Sequence, residues 1–327
     1  EGANASLTNK NEINIFSTGT ENIGMYSSNG TVTNDSNAKI TVTAGENIGM
    51  MAKGAAGQAE NKGTITVTSD GATGAVVSSG GHAANSGTIT VTGKTSSSGK
   101  GIAGIIATGG SEFTTLGSGA ITANVSGKNS VGIYAKDASS KVEVLTHNTT
   151  TADGAVNYAV DSNGVINLNG AGTASTGAKS LLFYNNGGKI NITQPMTATI
   201  SGGSNTPATR GTAFLYQGSG HSSFTSGDIS TWATSKFSGL SNLTLNMNSG
   251  SRLFIASDVG MNLSDTTGSA LAGALGATIN GSDYKTFMLY NSLLTLNQSI
   301  NLNDANDAYN QLELSNSSVD NNNNNTI

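Results

Sequence analysis

Aliphatic and small polar residues alternate in short runs along this chain, and the runs recur. Lys39-Ile40-Thr41-Val42-Thr43 is one, and after a short turn comes Asn47-Ile48-Gly49-Met50-Met51-Ala52. Upstream, Ile13-Asn14-Ile15-Phe16 is followed by Ile23-Gly24-Met25-Tyr26; downstream, Thr64-Ile65-Thr66-Val67 is followed by Thr73-Gly74-Ala75-Val76-Val77. Gly24, Gly49 and Gly74 are each 25 residues apart. Two further rounds follow, through Ile89 and Ile105, then Ile121 and Ile133. Alternation places the aliphatics on one face of a strand and the threonines on the other. Two such strands per period, bounded by Gly, Asn and Ser, leave no room for an ordinary helix. The pattern therefore predicts an all-β, right-handed parallel β-helix (solenoid), with short inserted loops or helices. Ile40, Ile65, Ile89 and Ile121 should form one inward ladder, and Met25, Met50, Val76, Ile105 and Ile133 another.

The repeats continue with drifting turn lengths through Val142, Val156, Ile166, Leu181, Ile190 and Phe214. Asn61 and Asn85 each stand four residues before a strand Ile, a spacing suited to an amide ladder at a turn. Residues 1–327 read as one elongated domain of about a dozen coils, roughly 50 to 60 Å long at ~4.8 Å per coil. The pattern lapses twice. Gly218–Gly239 reads as an inserted loop, within which Asp228 could cap a short helix ended by Gly239. Ser264–Leu275 reads as a second, short helical insertion.

Composition narrows the function classes. Of 327 residues, 44 are Gly and only 11% are charged, so the strands alone separate this chain from a disordered one. Net charge is −5, and Arg210 and Arg252 are the only arginines, which leaves no basic footprint for nucleic acid. With no Cys, disulfides and thiolate metal sites are excluded. No run reaches the length of a membrane-spanning helix. The chain starts at Glu1 without an initiator Met or a signal-like stretch and is expected to be a mature or excised segment.

The phrases Asn22-Ile23-Gly24-Met25-Tyr26, Asn47-Ile48-Gly49-Met50-Met51 and Gly63-Thr64-Ile65-Thr66-Val67-Thr68, with Leu312-Glu313-Leu314-Ser315 near the end, resemble passenger domains of type V secreted autotransporters. More narrowly, they resemble the large fusobacterial outer-membrane adhesins. That resemblance implies a passenger displayed at the cell surface, in the outer membrane or secreted. It implies attachment to a host-cell glycan or protein receptor, or to another bacterium. Membrane attachment would then come from a translocator domain that this sequence does not contain.

Candidate chemistry is sparse. Asp137, Asp153 and Asp161 fall near turns of neighbouring coils and read as solvated turn carboxylates rather than the paired acids of a glycosidase. Glu21 and Glu46 occupy equivalent turns, where repulsion would splay them unless a cation sat between them. His82, His147 and His221 follow no metal-ligand spacing. No cofactor and no metal are expected. Two features suggest a binding surface instead. One is an outward row, Tyr26, Met51, Val77, Ile106, Tyr134, Tyr184 and Tyr216, whose alternative is packing under a turn. The other is the Gly218–Gly239 insertion, which gathers His221, Phe224, Trp232 and Phe237; Trp232 is the chain's only tryptophan and could equally anchor the loop. The leading expectation is a non-enzymatic adhesin segment. The alternatives are a polysaccharide-processing β-helix enzyme and a structural spacer for a distal tip.

Overall fold

The computed structural model describes residues 5–202, 209–262, 268–281, 286–299, 311–321 and 324–325. It is a parallel β-solenoid of about 11 turns. Each regular coil carries three strands where the alternating runs indicate two; Gln58–Asn61, Thr64–Val67 and Thr73–Ser78 make up one coil. The strand that the pattern misses is Gln-Ala-Glu-Asn, composed of weak strand formers. It is held because Ala59 and Asn61 point inward and its backbone pairs with the coils on either side.

Stacking generates three sheets. Sheet A runs from Ala5–Asn9 to Phe237–Ser238, sheet B from Glu12–Ile15 to Thr278–Asn280, and sheet C from Ile23–Ser27 to Gln311–Ser315. Described strand pairs are parallel, so the ladder hydrogen bonds point along the rod axis while the strands lie across it. Ile40, Ile65, Ile89 and Ile121 stack in register with at most 1% exposure, as expected. The second ladder needs one correction. Ala75, not Val76, lies between Met50 and Ile105, because the strand pairs Ala75 with both. Val77 consequently points inward and is fully buried.

The amide ladder is longer than the spacing of Asn61 and Asn85 implies. Asn9, Asn34 and Asn61 each pass an Nδ2–H to the next Oδ1, ending at Asn85, at 2.8, 2.8 and 2.7 Å. From Asn34 onward these side chains are fully buried, so each coil supplies its neighbour with a partner that water cannot.

The interior changes along the rod. Gly24, Gly49, Gly74, Gly104 and Gly132 line one inner corner of sheet C; a Cβ on Gly74 would lie 2.6 Å from the Gly104 carbonyl oxygen. Later coils place Asn157, Leu182, Ala213 and Leu253 in that row. Beside it, Met25, Met50, Ala75, Ile105 and Ile133 give way to Tyr158, Phe183, Phe214, Phe254 and Phe287. Their rings form a column with centroids 5.5 to 6.5 Å apart.

The changeover coil is polar inside. Asn157 Nδ2 donates to Thr149 Oγ1 at 2.9 Å, and its Oδ1 accepts from Thr151 at 2.8 Å and Thr176 at 2.9 Å. His147 replaces isoleucine in the Ile ladder, edge-on to Tyr158 at 5.6 Å. Gly172 of the next coil leaves room for the imidazole, since a Cβ there would collide with the ring.

The first irregular stretch divides differently from a loop. Sheet C's strand continues from Thr212 to Phe224, with a register shift between Gln217 and Ser222. Helix α1, Ser226–Lys236, follows. Thr225, not Asp228, is its N-cap; Asp228 is the third helical residue, and the two exchange bonds in a capping box. Gly239, with φ 70°, starts a 3₁₀ turn at Leu240–Asn242. Of the second insertion, Gly268–Leu275 is helix α2, with Leu271 and Leu275 buried, and 264–267 lie outside the described residues. It stands in the chain where a sheet A strand would come, after sheet A has ended at Phe237–Ser238.

Candidate binding groove

Phe224 and Phe237 of the first insertion are core, and Trp232 is packed against it. Phe224 and Phe237 are 1% and 2% exposed. Trp232 is half-buried, with its ring 5.2 Å from Phe237, 5.6 Å from Phe254 and 5.8 Å from Tyr216. The capping box fixes where α1 begins, and the spacing of Ile229, Trp232 and Ala233 turns one helical face onto the solenoid. Phe224 and Phe237 therefore cannot stack on a ligand from outside. His221 alone of the four is exposed, on a turn where Gln217 and Asn291 donate to Asp258. Those bonds, with one from Ser257, hold the Asp258 carboxyl below its ordinary range.

The outward row exists with changed membership. Strand register makes it Tyr26, Met51, Val76, Ile106, Tyr134, Ala159, Tyr184, Leu215, Ile255 and Met288. Tyr216 points the other way, its ring against Phe224 and Phe254, because it follows the outward Leu215 by one residue. Tyr134 and Tyr184 remain half-exposed in the row. Partial burial, and secondarily the Asp161 charge, raise both phenols, that of Tyr134 to about 12.

The three outer faces differ in chemistry. Sheet A carries ion pairs, Lys62–Glu60 at 3.0 Å and Lys141 to Glu112 and Glu143 at 2.8 and 3.2 Å. Sheet B shows an uncharged line including Thr41, Thr66, Thr90 and Thr122. Sheet C is apolar. At its far end the apolar row opens into a groove of about 770 Å³, floored by Leu181, Leu215, Ile255 and Met288. Both arginines of the chain stand in its wall, 5% and 6% exposed for Arg210 and Arg252.

Glu313 ties them together. Arg252 Nη2 and Nε reach Glu313 Oε2 at 2.6 and 3.2 Å, while Nη1 donates to Thr212 at 3.2 Å. Arg210 Nη1 pairs with the other carboxylate oxygen. The carboxylate reaches these partners across the intervening strand Thr286–Tyr290. An ion cluster this enclosed is rigid, since breaking one pair would cost about 3–5 kcal/mol.

Sequence reasoning missed this groove, although a signal was there: the only two arginines flank sheet C strands that are neighbours in the stack. The third partner, Glu313, comes from a strand 61 residues beyond Arg252.

Of the acids weighed for catalysis, Asp137 and Asp161 are neighbours on adjacent coils, the Asp137 N–H donating to the Asp161 carbonyl at 3.2 Å, but their carboxylates have different partners. Asp137 accepts from the Gly109 N–H at 3.1 Å, Asp161 accepts from Ser162 and Asn186, and Asp153 sits in a positive-φ turn. The Glu46 carboxylate accepts from Ser96 and Ser98, which lower its pKa. Among the described residues, no group of three or more His, Cys, Asp or Glu could hold a metal ion.

No protein-family model matches the chain, and no curated protein matches it in sequence. Among solved structures, it is similar to the crystal structure of a TibC-catalysed hyper-glycosylated fragment of TibA. The two share 14% identity over 98% of this chain and 99% of that one, with a TM-score of 0.23. At that level neither fold detail nor function transfers.

Proposed function

We propose that this chain is a non-enzymatic adhesin segment, displayed at the cell surface or secreted, that engages a glycan or protein receptor through the sheet C groove. The observation that carries this reading is the groove itself. It joins the apolar floor of Leu215, Ile255 and Met288 to the Arg210–Glu313–Arg252 wall on a rigid coil stack. Such a frame limits the ordering cost of binding. The sequence resemblance to autotransporter passengers supports the surface setting. That the carboxylates of the neighbouring Asp137 and Asp161 accept from different groups, Gly109 for one and Ser162 and Asn186 for the other, favours binding over hydrolysis.

Glycan and host-protein arrays probed with the chain, and with an Ile255→Asp variant, test the proposal. Binding that falls tenfold or more in the variant is expected. Binding that Ile255→Asp leaves intact, or an array without hits, would turn the reading toward a spacer.

A further inference from the structure

The groove occupies only one end of the apolar face of sheet C. Over the seven strands from Ile23–Ser27 to Leu181–Asn186, the outer row from Tyr26 to Tyr184 is joined by a second one that includes Ile23, Ile48, Val131 and Val156. Side chains of both rows are mostly half-exposed, and Tyr26 is 37% exposed. The other two faces are polar, so this apolar surface is not a general property of the coil.

One turn position on the rim beside these rows changes from acidic to basic along the rod, while the residue before it is Asp70, Lys100, Lys128 and Asp153 in the coils between. The turn residue two places before each sheet C strand is Glu21 and Glu46 in the first two coils, then Gly71, Gly101, Asn129 and Gly154, then Lys179 and Arg210. Stacking of these positions is direct: Glu21 N–H donates to the Glu46 carbonyl, and Lys179 N–H to the Arg210 carbonyl, at 3.1 and 3.2 Å. Glu46 is bonded to Ser96 and Ser98, and Arg210 to Glu313. The exposed charges at the two ends are therefore Glu21 and Lys179.

We propose that two copies of this chain pair through the apolar face of sheet C with their rods antiparallel. A two-fold axis along the strand direction, passing over Ile106, sets Glu21 of each copy against Lys179 of the other. The same axis places Tyr26 opposite Tyr184, Met51 opposite Ala159 and Val76 opposite Tyr134, so large residues meet small ones at two of these three positions. With rods parallel, the acidic end would lie along the acidic end and the complementarity would vanish. Seven strands at ~4.8 Å, across a face about 20 Å wide, bury on the order of 1,200 Å² in total, the lower bound for a stable pair. Ile255 and Met288 lie beyond the overlap, so pairing leaves most of the groove open.

Sedimentation velocity of the purified chain from about 1 μM to 1 mM tests the pairing, that range spanning Kd values for an interface of this size. A concentration-dependent dimer is expected. Lys179→Glu and Glu21→Lys should each weaken it at least about fivefold, because symmetry counts the exchanged pair twice. The double variant, which restores opposite charges across the axis, should recover the original affinity. Ile106→Lys, on the axis, should give monomer with an unchanged circular dichroism spectrum. A chain that stays monomeric, a double variant without recovery, or a dimer indifferent to Ile106→Lys would overturn the proposal.

Discussion

Two stretches of the rod solve the same packing problem in different ways. From Ile23 to Lys136 the inner corner of sheet C is glycine and the ladder beside it is Met, Ala or Ile. From Val156 to Asn262 the corner is Asn157, Leu182, Ala213 and Leu253, and the ladder is aromatic. The narrow stretch is near-identical coil on coil, each corner glycine from Gly24 to Gly104 facing the carbonyl of the glycine beyond it. The wide stretch fills its interior with rings and carries the long strands, helix α1 and most of the floor of the groove. Sequence regularity thus reflects interior width: identical coils suffice where nothing but backbone must fit, and variation starts where side chains must fill space.

Exchanging the corner residues breaks this comparison most sharply. Gly74→Leu puts into the narrow stretch the residue that the wide stretch has at 182 and 253, against the Gly104 carbonyl and the methyls of Ile89 and Val91. A loss above about 4 kcal/mol is expected, seen as loss of folded protein or a collapsed denaturation midpoint. Unchanged stability would mean that the narrow coils can widen.

Phe214→Ala should cost about 3–5 kcal/mol, since its ring touches the column and Trp232, 6.2 Å away. As Trp232 is the only tryptophan, its fluorescence reports the wide stretch while circular dichroism reports both. The fluorescence midpoint should fall further than the dichroism midpoint; equal shifts would make the rod one cooperative unit.

At the junction, His147 has no hydrogen-bond partner on either nitrogen, and burial depresses its pKa from 6.5 to about 4. The unfolded chain therefore binds a proton between these values that the folded chain refuses, and stability rises with pH across the window. The contribution is complete above about pH 6.5 and is lost as pH falls toward 4, on the order of 3 kcal/mol in all. His147→Leu should flatten this part of the pH–stability curve relative to the parent chain. A curve that keeps its slope would assign the acid sensitivity to carboxylates.

The smallest effect is expected at the cap of α1. Thr225→Ala should cost about 1–2 kcal/mol and leave the narrow stretch untouched, which amide exchange resolved by coil would show.

The contrast also explains how far the sequence could be read. Ile40, Ile65 and Ile89 announce themselves because the narrow coils repeat them in identical surroundings. The third strand stayed hidden because Gln58, Ala59 and Glu60 have no strand preference of their own and are ordered by their neighbours. Tyr216 reads as outward when counted like Tyr134 and Tyr184, but it stands one residue further along its strand, and one residue reverses a side chain. Phe224, Trp232 and Phe237 are legible as a cluster; whether such a cluster faces water depends on α1 folding back, which local pattern does not encode. The groove depends on three chain segments meeting, and no spacing rule connects Arg210 and Arg252 to Glu313.

Because the ladder bonds lie along the rod axis, a force applied between its two ends loads them in tension, one row at a time, rather than in shear across many rows at once. Rows loaded in this way unzip. Detaching one coil of the narrow stretch would release 25 residues, the interval from Gly49 to Gly74, or roughly 80 Å of extended chain in place of ~4.8 Å of rod. A tether built like this yields by lengthening in steps at low force while the coils further in keep their shape.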